Sequence, residues 1–189
     1  MANRLVTLVL LVAALGACGK QIGDACNFGQ DCSPNGDRSC DPNPTSPGGY
    51  CTVIGCDYST CPGEAVCVQF YTGTFSNRPC DGTLENDECQ SGREAVPAVP
   101  EMNGMPATPE IPGYAGSLDE VCALSGYCVA RSSEVRYCML KCDSDGDCRD
   151  GYECRDIERM KEHGGQPVLA PGVEITESSP KFCAARPPG

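Results

Sequence analysis

The chain is poor in the side chains that build an ordinary protein core. It has no tryptophan and only four phenylalanines in 189 residues. After the first 17 residues, which have the character of a removable leader, Leu, Ile, Val and Phe make up 24 of 172 residues, or about 14%. That share is below the roughly 20% that marks chains too poor in bulky apolar groups to fold on a core alone. A conventional globular core is therefore not expected.

The sequence also lacks the groups that most enzymes and metal sites need. Its one histidine, His163, has no serine or cysteine nucleophile motif beside it. No two cysteines have the two-residue separation of zinc ribbons and thioredoxin-like sites. Acidic side chains are plentiful, but the composition predicts no apolar pocket that would raise a carboxyl pKa. We therefore predict a protein that is not an enzyme and has no cofactor.

Positive charge is scarce as well. The chain has 14 Lys and Arg against 26 Asp and Glu, a formal net charge of −12, and loss of Arg4 with the leader makes it 13 minus 26, or −13. Nucleic-acid binding depends on clustered Lys and Arg that neutralise phosphates, so nucleic acid is excluded as a partner. The acidic excess is typical of a solvated surface that keeps the chain soluble.

Cysteine is what the sequence has in abundance. The 17 cysteines are about 10% of the 172 mature residues, the range of secreted disulfide scaffolds. Each bridge would stabilise the fold by about 2 to 4 kcal/mol. The predicted fold class is small and disulfide-rich, with little regular secondary structure and with short β-hairpins and loops in tandem four-cysteine units.

The first 18 residues have the pattern of an export signal. Arg4 supplies a positive start, and residues 5–17 are apolar except for Thr7. As a helix this run would span about 20 Å, which is short of the roughly 30 Å of a bilayer core. Its end, Leu15-Gly16-Ala17-Cys18, resembles the lipobox of bacterial lipoproteins.

The lipobox resemblance implies that residues 1–17 are a signal peptide, that Cys18 is acylated, and that residues 18–25 are a tether at the membrane. The odd number of cysteines agrees with this implication, because acylation of Cys18 leaves sixteen cysteines, an even number, to form disulfides. Gly19 is not the aspartate that retains such lipoproteins in the inner membrane. The resemblance thus implies the bacterial cell envelope, with the outer membrane favoured and surface exposure left open. The alternative is an ordinary signal peptide with an incidental Cys18.

The mature chain repeats one cysteine pattern, which is clearest at Cys142, Cys148 and Cys154. Two five-residue gaps separate these cysteines, and an aspartate precedes the middle one. Four such units allow two bridges each, and of the three connectivities within a unit we favour first with third and second with fourth. Counted in order, the groups are Cys26, Cys32, Cys40, Cys51; Cys56, Cys61, Cys67, Cys80; Cys89, Cys122, Cys128, Cys138; and Cys142, Cys148, Cys154, Cys183.

This grouping gives two ranges, with units one and two at 26–80 and units three and four at 89–183. The first gap of the third unit is 32 residues long. It contains a proline-rich loop at 94–117, for which five prolines predict extended polyproline-like chain without helix or ladder pairing. We further predict a hairpin with its turn at Gly73, and a helix that ends at Gly164.

Residues 155–163 supply that helix, and Val173 to Thr176 are predicted to form a strand.

Calcium is a weaker hypothesis for the acidic cluster of Asp143, Asp145, Asp147 and Asp150. The cluster does not match an EF-hand loop, because cysteines occupy its sixth and twelfth positions. A turn or cap role explains the aspartates equally well.

One stretch resembles the cysteine-rich repeat of the amino-terminal dickkopf domain, through Cys142, Asp145, Asp147, Cys148, Gly151 and Cys154. Looser copies occur at 26–40 and 56–67. The resemblance implies a secreted interaction module.

We therefore expect a non-enzymatic, lipid-anchored, cysteine-rich envelope or surface protein that acts as an extracytoplasmic protein-interaction module, with an unknown protein partner. One alternative is a disulfide-scaffold protease inhibitor that presents the 94–117 loop around Met102 to Met105 as bait. Another is a structural envelope component.

Overall fold

A computed structural model describes residues 19–42, 48–72, 78–81, 88–101 and 105–187. The predicted signal peptide and Cys18 lie outside the described residues. Three short α-helices and twelve short strands are present in the described part. The helices are α1 (Gly29–Cys32), α2 (Glu88–Ser91) and α3 (Ile157–His163). The strands are β1 (Ala25–Cys26), β2 (Ser39–Asp41), β3 (Gly49–Thr52), β4 (Ala65–Tyr71), β5 (Gly92–Arg93), β6 (Tyr114–Ala115), β7 (Glu120–Cys122), β8 (Cys128–Ala130), β9 (Glu134–Leu140), β10 (Tyr152–Arg155), β11 (Gln166–Pro167) and β12 (Phe182–Ala185).

The sixteen cysteines from Cys26 onward form eight disulfides. The bridges are Cys26–Cys40, Cys32–Cys51, Cys56–Cys67, Cys61–Cys138, Cys80–Cys122, Cys89–Cys128, Cys142–Cys154 and Cys148–Cys183. Short antiparallel strands and loops surround them. The predicted fold class, a small disulfide-rich chain, is confirmed.

The grouping of the cysteines in consecutive fours is wrong for the second and third units. Cys61 pairs with Cys138 rather than Cys80, and Cys80 pairs with Cys122. The observed second unit is Cys56, Cys61, Cys67 and Cys138, and the observed third is Cys80, Cys89, Cys122 and Cys128. The third unit is thus inserted into the last gap of the second. With this regrouping, first pairs with third and second with fourth in all four units.

The four units also share one local structure. In each unit the third and fourth cysteines lie directly opposite each other on two antiparallel strands, and the first two cysteines lie in the segment that precedes these strands and bridge onto them. The opposed cysteines are Cys40 and Cys51, Cys67 and Cys138, Cys122 and Cys128, and Cys154 and Cys183. Small cores made mainly of half-cystines result.

The strand pair of the second unit, β4 with β9, is the centre of the molecule. It is the longest ladder, with seven residue pairs, and β11 adds to the free edge of β4. The main apolar cluster forms around it and includes the fully buried Val68, Met160 and Phe182. Few bulky residues are needed because the bridges already close the chain.

Neighbouring units attach to this centre by polar as well as apolar contacts. The buried Thr52 hydroxyl donates a 2.8 Å hydrogen bond to the Cys138 carbonyl, and the Cys138 N–H donates to the Val53 carbonyl at 3.0 Å. The ring of Tyr50 stacks on Tyr152 with centroids 5.2 Å apart. These contacts fix the first unit against the second and the fourth unit against the first.

The secondary-structure predictions have mixed outcomes. The helix that ends at Gly164 is confirmed, since α3 begins at Ile157 and the Gly164 N–H caps it by donating to the Met160 carbonyl. The predicted strand at Val173 to Thr176 is wrong, because this segment is irregular. Gly73 lies outside the described residues, and β4 pairs with β9 and β11 rather than with a strand that follows it directly.

We predict that Glu153→Gln destabilises the fold by about 3 kcal/mol, because the buried Arg155 guanidinium would lose its counter-charge. Glu153 Oε1 and Arg155 Nε lie 2.9 Å apart, with the side chains 7% and 6% exposed. Urea unfolding of the oxidised chain measures the loss. Glu158→Gln, at a carboxylate 77% exposed, is the control and should change the free energy of unfolding by less than about 0.5 kcal/mol. Equal effects of the two variants would contradict the prediction.

Candidate functional site

The acidic cluster of the fourth unit is held by hydrogen bonds within the chain. Asp147 Oδ2 accepts from the backbone N–H groups of Ser144 at 2.8 Å and Asp143 at 2.9 Å. Asp145 Oδ1 accepts from the Cys154 N–H at 2.9 Å and also binds the Arg159 guanidinium. These two carboxylates therefore shape the turn between the first two cysteines of the unit.

The same capping contact recurs in every unit. The residue before the second cysteine accepts a hydrogen bond from the first backbone N–H after the first cysteine. The pairs are Asn27 N–H to Asp31 Oδ2 (2.7 Å), Asp57 N–H to Thr60 Oγ1 (2.8 Å), Asp81 N–H to Glu88 Oε2 (2.9 Å) and Asp143 N–H to Asp147 Oδ2 (2.9 Å). Aspartate, threonine and glutamate thus perform one structural task, which the fixed-residue pattern in the sequence did not reveal.

This capping role bears on the calcium hypothesis. Two of its four aspartates, Asp145 and Asp147, already accept backbone and guanidinium hydrogen bonds, whereas Asp143 and Asp150 are exposed. Within the described ranges, the clusters of atoms close enough to share one metal ion consist of cysteine sulfurs, and these sulfurs are all in disulfides. Calcium binding remains a prediction.

Asp147 should make the fold sensitive to acid. The N–H groups of Ser144 and Asp143 hold the pKa of Asp147 below its ordinary value of 3.8. Because the folded-state pKa is depressed, the stabilisation is fully present above about pH 4 and is lost as the pH falls through that lower value. We predict that Asp147→Asn lowers the urea midpoint at pH 7 and has little effect at pH 2. Asp150→Asn, an exposed change nearby, is the control. A pH-independent effect of Asp147→Asn would contradict this assignment.

An aromatic-lined cavity of about 410 Å³ lies beside the central sheet, with Tyr50, Phe70 and Tyr137 among its lining residues. Asp41 also lines it, and burial raises the pKa of that carboxyl. The sequence-based expectation that no apolar pocket raises a carboxyl pKa is therefore wrong. The bulky residues are few, but the strand pairs of the units gather them on one face.

His163 lies at the same cavity. Its Nδ1 is 2.7 Å from Glu153 Oε1, and Glu153 is itself paired with Arg155. The arrangement ties the end of α3 to β10. In the described part of the chain, the cysteines are all disulfide-bonded and provide no thiol nucleophile beside this histidine.

The proline-rich loop has an ordered backbone pattern. Strands β5 and β6 pair at its base, and beyond them Val96 exchanges two backbone hydrogen bonds with Ile111 at 2.9 and 3.0 Å. Val99 and Thr108 exchange two more, at 3.1 and 3.0 Å. The described residues of the loop therefore form two paired antiparallel arms, which we call the proline hairpin (residues 92–101 and 105–115). The expectation of no ladder pairing is wrong.

The pairing in the proline hairpin has a period of three residues. Arg93, Val96 and Val99 face Tyr114, Ile111 and Thr108. An ordinary antiparallel ladder repeats every two residues, whereas a polyproline II helix has three residues per turn. The pairing period of the two arms is therefore that of the predicted polyproline-like conformation. Each proline occupies a position that donates no ladder hydrogen bond.

This period is visible in the sequence as triplets that begin with a paired residue and continue with proline. Val96-Pro97-Ala98 and Val99-Pro100-Glu101 form one arm, and Thr108-Pro109-Glu110 and Ile111-Pro112-Gly113 lie in the other. The third position of the triplet nearest the base, Gly113, must be small. A Cβ on Gly113 would lie 2.6 Å from the Ala95 nitrogen, so the two arms approach too closely for a side chain there.

The base of the proline hairpin is fixed covalently, and its length is exposed. Cys89 and Cys122 flank it and are both in bridges. Residues 94–101 and 105–113 are all exposed, including Val99 at 51% and Met105 at 67%. The segment 94–117 contains three glutamates and no Lys or Arg. In its described part, this segment is a paired, acidic and exposed hairpin with apolar side chains.

We predict that amide exchange in the proline hairpin follows the three-residue period. Val96, Val99, Thr108 and Ile111 should be protected, while Ala98 and Ala107 exchange quickly because they donate no ladder bond. NMR of the oxidised chain measures this pattern. Gly113→Ala should remove the protection at Val96 and Ile111 by separating the arms. The control is Gly63→Ala, where a Cβ meets no atom within 4 Å. Protection at every second residue would contradict the assignment.

No protein-family model, curated protein or solved structure matches this chain. Among the residues that the structure describes, no helix is long and apolar enough to cross a membrane.

Proposed function

We propose that the protein is a non-enzymatic, lipid-anchored interaction module of the bacterial cell envelope. Cys18 would carry the lipid, the outer membrane would hold it, and the units from Cys26 onward would form a frame that presents the proline hairpin to a partner protein. The single observation that carries the proposal is this hairpin, because it projects exposed apolar side chains from a base closed by disulfides.

The disulfides support a location outside the cytoplasm. Eight bridges in a chain of this size form and persist in an oxidising compartment. The lipobox residues 15–18 support an anchor there, since several acyl chains together give stable membrane binding. The net charge of −12 supports a protein partner rather than nucleic acid.

The proline hairpin favours docking over the alternative of a protease bait loop. The backbone N–H and C=O groups of Val96, Val99, Thr108 and Ile111 are used in pairing across the hairpin, so they are not free for a protease to bind as an extended strand. Prolines beside these residues also lack the N–H that such strand addition needs. Met105 is exposed, and Met102 lies outside the described residues.

The anchoring part of the proposal predicts that Cys18→Ser abolishes acylation and leaves residues 1–17 attached to the chain. Mass spectrometry of the native wild-type protein should find acyl chains on Cys18 and no residues 1–17, and the variant should lack both features. Cys61→Ser paired with Cys138→Ser is the control, since it removes a disulfide and leaves the anchor. An unmodified Cys18 in the native protein would contradict lipid anchoring.

The interaction part is tested by crosslinking in native membranes, with residues 94–117 replaced by a Gly-Ser linker of equal length as the comparison. A saturable partner that wild type captures and the linker variant loses supports the module. Absence of any saturable partner would favour a structural envelope component. Loss of activity of an added protease would favour the inhibitor.

A further inference from the structure

We propose that the proline hairpin binds, as a ready-made polyproline II ligand, in a groove of a partner protein that is lined with aromatic side chains and rimmed with Lys or Arg. This inference rests on the proposed function and names the chemistry of the partner site. Recognition of polyproline II chain by aromatic-lined grooves is a general mode of peptide binding. Three features of the hairpin select this mode.

The first feature is order before binding. The arms are joined by reciprocal hydrogen bonds at Val96 with Ile111 and at Val99 with Thr108. At the base, the Arg78 guanidinium lies 5.4 Å from the centre of the Tyr114 ring, and the bridge of Cys89 holds the entering chain. A free proline-rich peptide must lose conformational entropy on docking, and this hairpin has already lost most of it.

The second feature is the placement of the prolines. They occur three residues apart along each arm, at Pro97 and Pro100 and again at Pro106, Pro109 and Pro112, and all are exposed. A spacing of three places successive prolines on one edge of a three-residue helix. Each arm therefore offers a continuous row of rigid rings for stacking on aromatic side chains.

The same prolines disfavour a competing mode of binding. A strand added to the outer edge of the hairpin would need N–H donors along that edge, and the proline in each triplet has none. Pairing with another β-strand is thus unfavourable. Contact through side chains in a groove is favoured instead.

The third feature is charge. Glu94, Glu101 and Glu110 give the hairpin three negative charges with no positive side chain from 94 to 117, so a groove with a basic rim is complementary. A second copy of this chain is a poor occupant, because its net charge of −12 repels the acidic hairpin. The partner is therefore a different protein.

The test places a photo-crosslinking amino acid at Ala98 of the full-length chain, expressed in its source cells, and maps each adduct by mass spectrometry. We expect adducts on one protein, at a segment with at least two aromatic residues and neighbouring Lys or Arg. The double variant Pro97→Ala and Pro100→Ala should reduce the adduct about tenfold, as removal of hot-spot contacts does. The matched control, Pro34→Ala with Pro180→Ala, changes two exposed prolines on the frame and should leave the yield unchanged.

The Pro97→Ala and Pro100→Ala changes could also separate the two arms of the hairpin, so a second double variant that keeps every proline is needed. Glu101→Lys with Glu110→Lys retains every proline and should also lower the yield at least tenfold, by repulsion from the basic rim. A (Val-Pro-Ala)5 peptide should compete for the adduct, and a (Val-Ser-Ala)5 peptide should not. A yield that either double variant leaves unchanged, adducts only with a second copy of the chain, or adducts on a segment without aromatic residues would overturn the inference.

A crosslinker at Val173, on the exposed surface of the fourth unit, separates this inference from the proposed function. Adducts from Val173 but none from Ala98 would leave the interaction module standing and overturn the docking mode. No adduct from either position, with the lipid present on Cys18, would overturn both.

Discussion

The structure depends on one constraint that recurs in each four-cysteine unit. Two disulfides join the first cysteine to the third and the second to the fourth, and the third and fourth cysteines lie opposite each other on neighbouring strands. The first and second cysteines of a unit close onto a strand pair that already places the third opposite the fourth. This geometry removes conformational freedom from the unfolded chain without a large apolar core. It explains how a chain with about 14% Leu, Ile, Val and Phe after its first 17 residues folds, and it gives the hairpin a rigid base.

The polar turn between the first two cysteines completes each unit. An oxygen of Asp31, Thr60, Glu88 or Asp147 receives the N–H that follows the first cysteine. Different side chains can supply this oxygen because the task needs only an acceptor at the right distance. The acidic residue before the second cysteine of a unit therefore serves first to satisfy a backbone N–H group, and the exposed glutamates of the proline hairpin have no part in this contact.

Much of this architecture could be predicted from the sequence. The cysteine count predicts the fold class, and within regrouped units the pairing of first with third and second with fourth holds throughout. The grouping could not be predicted, because spacing alone does not reveal that one unit interrupts another. Two features of the sequence reflect this insertion. One is the 32-residue gap after Cys89, and the other is Val121, which offers no side-chain hydrogen-bond acceptor before Cys122. The extended polyproline-like chain could be predicted from the prolines, but its pairing into a hairpin could not, because proline donates no ladder N–H and the three-residue period of the triplets is not that of an ordinary strand.

The insertion of the third unit into the second has a consequence for how the protein matures. Cys61 is joined to Cys138, 77 residues away, and Cys67, Cys80 and Cys89 all lie between them in the chain. Pairing of Cys61 with the nearest of these thiols gives a mispaired bridge. Such a bridge reaches the native pairing by thiol–disulfide exchange, which is slow without a catalyst.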